Sequence, residues 1–393
     1  MKLETKAVHA GDRKRPSEAI PVTTPIVPSS SFIYDDIETT DKVFADEVAG
    51  FAYARYASPT NNALEELVTA LESGAGSLAT ASGMVALQFA IQTALTDRRR
   101  SIVAASALYG ATTKLLMNVF EPMGVEVQLV DICDLAAVEA AIAEAKPGCV
   151  LLETVSNPLL RVADISRVAA FARAAGAALI VDNTFATPLL VRPLELGAHF
   201  TVHSLTKFLS GHGDVMGGII TCDQDHLPTL RALSRTCGPI LGAFECYLAM
   251  RGIKTFPLRM ERQCANARRV AGFLAAHPKV AKVNYLADPG HPDAATIQRL
   301  LPAGLFGAMV SFDVKDAGRA EIFAFMNRLK LVVKATSLGD VHTMMLYPAM
   351  ASHRDLAPKQ RQRLGILDSL VRLSVGIEAV EDVIADLDQA LNG

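Results

Sequence analysis

The chain has 393 residues, 50% of them hydrophobic and 20% charged, with a formal net charge of -3. These proportions are typical of a globular protein with a substantial core, and the length favours two domains or one large domain with an appendage. The near-neutral charge, without a basic block, argues against nucleic acid or an anionic membrane surface as a partner.

The six cysteines are scattered through apolar segments and form no Cys-x-x-Cys pair. This spacing favours neither a zinc site nor a disulfide framework, so we expect free thiols in a reducing compartment. The first residues lack the apolar region of a secretory signal, and no later segment is apolar for long enough to span a membrane. We therefore predict a cytoplasmic protein that acts on a small molecule.

Residues 1–55 are predicted to form an irregular N-terminal arm. Prolines recur at positions 16, 21, 25 and 28, and no hydrophobic period is sustained up to about residue 50. Such an arm is either a loose tail or a segment that wraps a neighbouring subunit, and composition favours neither. Arg55, at its end, suits an anion-binding role and a solvated position beside a turn equally well.

Two helices are predicted next. Leucines recur at helical spacing in residues 61–72, and Thr60 is the expected N-cap of that helix. A run of small residues, which we interpret as a turn, then leads into an apolar helix over residues 85–95. Because the first turn of a helix leaves backbone N–H groups free, Gly83 and Met84 are candidate donors to a phosphate.

Apolar, β-branched segments alternate with helical ones up to about residue 202. The predicted strands cover residues 102–105, 125–130, 149–152, 178–181 and 200–202, with helices over 135–145 and 165–175. This alternation predicts an α/β fold with a mainly parallel sheet covered on both faces. In such a sheet the ligand binds beyond the carboxyl ends of the strands.

Polar residues follow three of these predicted strands. Glu153 and Asn157 follow one strand, Asp182 follows the next, and Lys207 comes shortly after a third. We expect these side chains to converge at one edge of the sheet. Taken alone, Asp182 is equally suited to cap the following helix.

Lys207 lies among hydroxyls and glycines in the segment that runs from His203 to Asp214. Partial burial would keep the amine of such a lysine available as a nucleophile towards carbonyls, and the surrounding hydroxyls would suit a neighbouring dianion. Ser204 and Thr206 are candidate ligands of that dianion. A surface lysine in a turn would give the same short motif. Residues elsewhere in the chain therefore have to distinguish a reactive lysine from a surface lysine.

The pattern changes near residue 250, where we place the boundary between a large domain over residues 56–250 and a smaller α/β domain over residues 251–393. The predicted elements of the smaller domain are a long helix over 251–276, strands over 280–285, 307–313, 331–334 and 370–374, a helix over 320–329 and a closing helix.

Together these residues match what a pyridoxal 5'-phosphate site requires. Such a site needs a lysine that binds the cofactor covalently, an aspartate beside the pyridine nitrogen, donors to the phosphate, and an arginine for the substrate carboxylate. The candidates are, in that order, Lys207; Asp182; the backbone of Gly83 and Met84 with Ser204, Thr206 and Arg55; and Arg372. Arginine suits the last role because its planar fork binds a carboxylate bidentately.

These motifs, in this order, resemble the Cys/Met metabolism (transsulfuration) family of fold-type I pyridoxal phosphate-dependent transferases, and the resemblance covers nearly the whole chain. It implies that Lys207 binds the cofactor and afterwards moves protons, while Asp182 pairs with the pyridinium nitrogen. It also implies that Tyr109 stacks on the cofactor ring and assists proton transfer to the leaving group. Without the resemblance, Tyr109 would be interpreted as a core aromatic.

The resemblance further implies an obligate homodimer that pairs into a tetramer. Tyr53 and Arg55 match residues that reach the phosphate of the neighbouring subunit. Arg372, supported by Asn157 and the backbone of Ser337, matches the clamp for the substrate carboxylate. Ser58 replaces the asparagine usual in the family, a change that we expect to be tolerated because serine also caps and turns well.

Several segments are most similar to methionine γ-lyases, so we expect γ-elimination on methionine, homocysteine or a cystathionine-like thioether, with release of 2-oxobutanoate, ammonia and a thiol. Three features depart from the family's subgroups. Ala111 stands where methionine γ-lyases have a reactive cysteine, Ser234 and Arg235 where they have lysine and aspartate, and Thr336 where cystathionine enzymes often have glutamate. The alternative is γ-replacement on O-acetyl- or O-succinylhomoserine, by a sulfhydrylase or a cystathionine γ-synthase.

Two other classes of function, a non-catalytic binding module and a metal enzyme, fit the sequence less well. A non-catalytic binding module would be expected to have lost Lys207 or Asp182, and both are present. A metal site built on His199, His203 and His212 would need a carboxylate at ligand spacing, so we expect no metal.

Overall fold

The computed structural model describes residues 1–12, 20–97, 99–351, 354 and 357–393, so Pro16 of the predicted arm lies outside the described residues. Within the described part, seven short strands form a large sheet. They are β1 Gly76–Thr80, β2 Ser101–Ala105, β3 Glu126–Val130, β4 Cys149–Glu153, β5 Ala178–Asp182, β6 Phe200–Ser204 and β7 Gly218–Cys222. Their order is β1-β7-β6-β5-β4-β2-β3, and only the two pairings of β7 are antiparallel. The expectation of a mainly parallel sheet is therefore confirmed.

Helices cover this sheet, and four of its strands, β1, β2, β4 and β7, are buried along their whole length. The helices of this half are α1 Leu3–His9, α2 Ile37–Phe44, α3 Pro59–Glu72, α4 Gly83–Leu95, α5 Gly110–Leu115, α6 Leu135–Ala145, α7 Ile165–Ala174, α8 Thr187–Leu190, α9 Leu227–Cys237 and α10 Ala243–Ile253. Complete burial requires cover on both faces, as the runs of apolar residues indicated. The arm was expected to be irregular, yet it contains α1 and α2.

The prediction that Thr60 caps α3 is wrong. The cap is Ser58, whose Oγ accepts a hydrogen bond from the Asn61 N–H at 3.3 Å. Pro59 explains the earlier start, because its fixed φ suits the first position of a helix. Thr60 instead ties the arm to α3: its Oγ1 donates to the Pro25 carbonyl at 2.9 Å and accepts from the Val27 N–H at 2.9 Å.

In the described C-terminal part, five strands form a second sheet in the order β10-β11-β12-β9-β8. They are β8 Val280–Asn284, β9 Met309–Val314, β10 Val333–Lys334, β11 Met344–Leu346 and β12 Leu370–Ser374. The helices are α11 Phe256–Ala276, α12 Ala294–Leu300, α13 Arg319–Arg328, α14 Pro358–Arg363 and α15 Val380–Asn392. The long helix predicted over residues 251–276 is two helices, because α10 ends at Ile253 and Pro257, in the first turn of α11, favours a new helix start.

Two hydrophobic clusters form the core, one around each sheet. Helix α11 belongs to both, since Met260 and Cys264 pack in the first cluster while Val270 and Leu274 pack in the second. The domain boundary near residue 250 stays a prediction. Among the described residues, no helix has the length and apolar character that crossing a membrane requires.

Candidate active site

A cavity of about 530 Å³ opens where β4, β5 and β6 end. The structure brings nine of the predicted site residues to its lining, namely Gly83, Met84, Tyr109, Asn157, Asp182, Ser204, Thr206, Lys207 and Arg372. Parallel strands end at the same edge of a sheet, which is why residues far apart in sequence meet here. Tyr53, Arg55 and Ser337 are not part of this lining.

Lys207 lies in the turn that follows β6, and its amine enters the cavity from there. Its Nζ donates a hydrogen bond to Ser337 Oγ at 3.0 Å. Burial, and then the positive charge of Arg372, lowers the pKa of Lys207 to about 8. A larger share of the amine is therefore the neutral free base near physiological pH, which is the form that attacks a carbonyl and accepts a proton.

Asp182 is the last residue of β5 and is partly exposed to the cavity. It caps no helix; its Oδ1 accepts from the Thr184 N–H at 3.0 Å, and α8 begins only at Thr187. Burial raises the pKa of Asp182, while hydrogen bonds from Thr184 and the nearby His203 oppose that rise. A cation beside this carboxylate would relieve the cost of its burial, as a protonated pyridine nitrogen does.

The N-terminus of α4 faces the cavity. Ser82 caps the helix by accepting from the Val85 N–H at 3.2 Å, which leaves the first-turn N–H groups of Gly83 and Met84 for another acceptor. A side chain at position 83 would bring its Cβ to 3.0 Å from the Cβ of Ser204, so glycine allows this close approach of α4 to β6 without a shift of Ser204. Backbone N–H groups, hydroxyls and a helix dipole together fit a phosphate.

Arg372, in the middle of β12, is buried with only 3% exposure. Its NH1 donates to Asn157 Oδ1 at 3.0 Å and its NH2 to the Ser337 carbonyl at 3.2 Å. Burial lowers the pKa of the guanidinium to about 10. In the described structure the Nε of Arg372 has no hydrogen-bond partner. A buried cation with an unused donor lacks an anion, and a substrate carboxylate fits this requirement.

Tyr109 follows β2 and is 43% exposed, so its interpretation as a core aromatic is wrong. Its backbone N–H donates to Glu153 Oε1 at 2.5 Å. Burial, and then the charge of Asp182, raises the pKa of Glu153 to about 8. The sequence showed Glu153 at a strand end but assigned it no role. The signal was its position at the end of the strand beside Asn157.

Tyr53 and Arg55 lie in the arm, outside the cavity of their own chain. The Arg55 guanidinium lies 5.4 Å from the centre of the Tyr53 ring and 4.9 Å from that of Tyr56, and it donates to the Arg235 carbonyl. Arg235 itself forms a bidentate ion pair with Asp46 at 2.6 and 2.8 Å. The contact of Tyr53 and Arg55 with a neighbouring subunit stays a prediction.

The remaining wall of the cavity is largely apolar, and sequence reasoning assigned no role to these side chains. They are Leu87, Val155, Phe185, Met216, Leu338, Leu346 and Ala351, with Thr336 and Thr184 between them. Thr336, singled out in the sequence because glutamate often stands there, does line the cavity. The others come from several loops and strands, and no local pattern distinguishes them from core residues.

The three histidines considered for a metal site have separate partners. His199 Nδ1 accepts from the Leu179 N–H at 2.9 Å, His203 Nε2 lies 2.5 Å from Glu72 Oε1, and His212 Nδ1 lies 2.7 Å from the Ser210 carbonyl. Within the described ranges, no group of three or more histidine, cysteine, aspartate or glutamate side chains is placed to hold a metal ion.

Comparisons with known proteins point to one family. The family model for "Cys/Met metabolism PLP-dependent enzyme" matches residues 4–392. The chain is 40% identical to L-methionine gamma-lyase of Fusobacterium nucleatum subsp. polymorphum over 99% of this chain and 98% of that protein. It is 37% identical to O-succinylhomoserine sulfhydrylase of Pseudomonas aeruginosa over 99% and 95% of the two chains.

A solved structure of cystathionine gamma synthase from Xanthomonas oryzae pv. oryzae superposes with a TM-score of 0.92 at 33% identity, and the match covers 100% of this chain and 98% of that one. The unused Nε of Arg372, the free N-terminus of α4 and the buried carboxylate of Asp182 fit the charged groups of the cofactor and of an amino acid. The chain therefore belongs to the Cys/Met metabolism family and is an enzyme that depends on pyridoxal 5'-phosphate.

Proposed function

We propose that this enzyme catalyses γ-elimination on a sulfur amino acid, with methionine or homocysteine preferred and cystathionine-like thioethers less favoured. The products are 2-oxobutanoate, ammonia and a thiol. The observation that carries the proposal is the uncharged part of the cavity wall, which includes Thr336, Leu338 and Leu346. The similarity to a methionine γ-lyase supports the same assignment.

The cofactor, when bound, supplies an electron sink that makes the protons on Cα and Cβ of an amino acid removable. Arg372 binds the substrate carboxylate and fixes the orientation of Cα. The neutral amine of Lys207 takes the proton from Cα and returns protons later in the cycle. Tyr109 donates a proton to the departing sulfur. Asp182 stabilises positive charge on the pyridine nitrogen, and the N-terminus of α4 with Ser204 and Thr206 holds the phosphate.

The charged residues of the cavity indicate which γ-substituents of a substrate fit. Among the described lining residues, the charged side chains are Glu153, Asp182, Lys207 and Arg372. Apart from these four, the described lining offers no charged side chain to the distal ammonium of cystathionine or to the terminal carboxylate of a succinyl group. Burying such a group without a partner is unfavourable, so a short, uncharged γ-substituent fits best.

A second candidate is γ-replacement on an O-acylhomoserine. Ala111, two residues after the cavity-lining Tyr109, lacks the reactive cysteine that methionine γ-lyases have at this position, which favours this candidate. The similarity to an O-succinylhomoserine sulfhydrylase supports this alternative. An acetyl ester, being short and uncharged, fits the apolar wall better than a succinyl ester does.

A paired assay on cofactor-loaded enzyme tests the proposal. The release of 2-oxobutanoate is measured from methionine, homocysteine, cystathionine, O-acetylhomoserine and O-succinylhomoserine, with and without sulfide or cysteine. We expect methionine and homocysteine to release the oxo acid without a nucleophile. Reaction of the acyl esters alone, with diversion to a new amino acid by a thiol, would identify the replacement enzyme instead.

We also propose that two subunits share each active site. The arm exposes large apolar side chains, with Ile33 94% and Ile37 75% exposed, and Tyr53 in the same arm is 41% exposed. Exposed apolar groups of this size are typical of a surface that packs against another subunit. The family resemblance implies that Tyr53 and Arg55 reach the neighbour's phosphate, so we propose that a second copy of this chain packs against the arm. Pairs of dimers would then form a tetramer.

A further inference from the structure

We propose that Glu153 is a positioning residue that holds a proton in the resting site, so that a neutral carboxyl lies beside the carboxylate of Asp182 and fixes the backbone of Tyr109. The inference rests on the proposed role of Asp182 beside the pyridine nitrogen. No step of the reaction described above uses Glu153, although it lines the same cavity.

The sheet places the two acids side by side. Glu153 and Asp182 are partners in register at the ends of the parallel strands β4 and β5. Adjacent strands lie about 4.8 Å apart, and partners in register point to the same face. Both side chains line the cavity, and Glu153 is only 8% exposed. Two ionised carboxylates at this spacing repel each other strongly, so the pair ionises in two separate steps.

The neighbouring cations have other partners. Lys207, from the turn after β6, donates to Ser337 Oγ, and Arg372, from β12, donates to Asn157 and to the Ser337 carbonyl. The Glu153 carboxyl accepts instead from the backbone N–H groups of Tyr109 and Asn157. These neutral donors do not compensate a buried negative charge as a cation would.

Asp182 is the better site for the single negative charge. It accepts hydrogen bonds from Thr184, and His203 on β6 lies close enough to favour its ionised form. The carboxylate of Asp182 is the charge that acts on Glu153. Burial, and then this charge, raises the pKa of Glu153 to about 8. The proton therefore belongs on Glu153, where it leaves Asp182 free to bind a cation.

The test uses the apoprotein of Glu153→Gln, whose amide keeps the shape of a protonated acid and an oxygen for the Tyr109 N–H. In the unmodified chain, Glu153 is protonated when folded but ionised when unfolded between its ordinary pKa of 4.5 and about 8. The unfolded state then binds fewer protons, so stability falls as pH rises through this window. The glutamine variant lacks this loss. We expect its advantage in thermal midpoint to grow from pH 5 to pH 8 and to level off above.

The matched control is Asp182→Asn, compared by the dissociation constant for pyridoxal 5'-phosphate at pH 7. Asp182→Asn is expected to weaken cofactor binding by about tenfold or more, because a neutral amide cannot pair with a protonated pyridine. Glu153→Gln is expected to keep the affinity, because it replaces one neutral group by another. Infrared spectroscopy of the unmodified apoprotein gives an independent measurement: a carboxylic acid band should disappear near pH 8.

A thermal difference that is the same at all pH values, or a loss of cofactor affinity in Glu153→Gln alone, would overturn the assignment. Neither the thermal midpoint nor the cofactor affinity depends on turnover. An enzyme without γ-elimination activity but with the expected pH dependence would refute the proposed function and leave Glu153 as the site of the proton.

Discussion

Lys207 is a buried lysine whose hydrogen-bond partner is a neutral hydroxyl, and this combination decides its chemistry. An exposed lysine keeps its proton at physiological pH, whereas desolvation disfavours the charged form. Arg372 adds a second positive charge to the same cavity. The environment of the amine, rather than its residue type, makes it a base near neutral pH.

The amine of Lys207 should therefore titrate well below the ordinary lysine value of 10.5. When apoprotein is mixed with excess pyridoxal 5'-phosphate, the rate of covalent attachment should rise with pH up to about 8 and then level off, because only the free base attacks. Absorbance measured in a stopped-flow series checks the midpoint. A midpoint near 10.5 would show that burial does not act on this amine.

Arg372→Lys tests the carboxylate clamp. A lysine keeps the charge but loses the fork, and each charge-assisted hydrogen bond is worth about 1.5–3 kcal/mol, so kcat/KM should fall about ten- to a hundredfold. A substrate analogue without the α-carboxylate is the control, and both enzymes should handle it equally. An equal loss on that analogue would assign Arg372 a structural role.

At the scale of elements, the start of α3 depends on one hydroxyl. Ser58 Oγ accepts from the Asn61 N–H and donates to Asn61 Oδ1 at 2.6 Å, while Asn61 Nδ2 donates to the Leu241 carbonyl at 2.7 Å. The cap therefore also joins α3 to the loop before α10. A serine can take the place of asparagine here because both are strong N-caps.

Ser58→Ala should lower the free energy of unfolding by about 1 kcal/mol, because a buried N–H loses its acceptor. Ser58→Asn is the matched control and should keep most of that stability. Urea denaturation of the apoproteins measures both. If alanine were as stable as serine, the cap would be contributing nothing.

The sequence predicted elements well where a local pattern was strong. Strands β4 and β5 were placed to within one residue, because continuous apolar, β-branched runs are typical of buried parallel strands. Strand β1 was interpreted as a turn, since its residues are small, and β7 and β11 were missed. These strands exist because their neighbours offer hydrogen bonds and burial, which no local window contains.

The residues of the site likewise divide into those that the sequence predicted and those that only the folded chain brings together. Lys207 and Asp182 were predicted because each follows an apolar strand-like run, and Arg372 because its segment resembles a family motif. The parallel sheet brings the first two to one edge. The pairing of Glu153 with Asp182 depends on strand register, and the apolar wall is assembled from distant loops. Both are properties of the folded chain, and a single sequence carries no local signal for them.

At the scale of the whole molecule, a mixed dimer tests whether sites are shared. Lys207→Ala chains lack the reacting amine, and Arg55→Ala chains lack the proposed contact with the neighbour's phosphate. Each homodimer should be nearly inactive at limiting cofactor. In a random mixture, one site of every mixed dimer has both groups intact, so about a quarter of all sites should recover.

Activity is measured after the two variants have been unfolded and refolded together, with separately refolded variants as the control. No recovery in the mixture would mean that Arg55 acts within its own chain. Native mass spectrometry of tagged chains measures the fraction of mixed dimers, so that a recovery below a quarter caused by incomplete mixing is distinguished from an absence of recovery in fully mixed dimers.

The two groups that hold a substrate belong to different cores. Leu205 and Phe208 flank Lys207 in the first hydrophobic cluster, and Val371 and Leu373 flank Arg372 in the second. An amino acid whose Cα lies beside the Lys207 amine and whose carboxylate is held by Arg372 would be a tether between the cores. Its binding energy is then also energy that holds the two halves of the molecule together, so the enzyme should be most rigid while it is working.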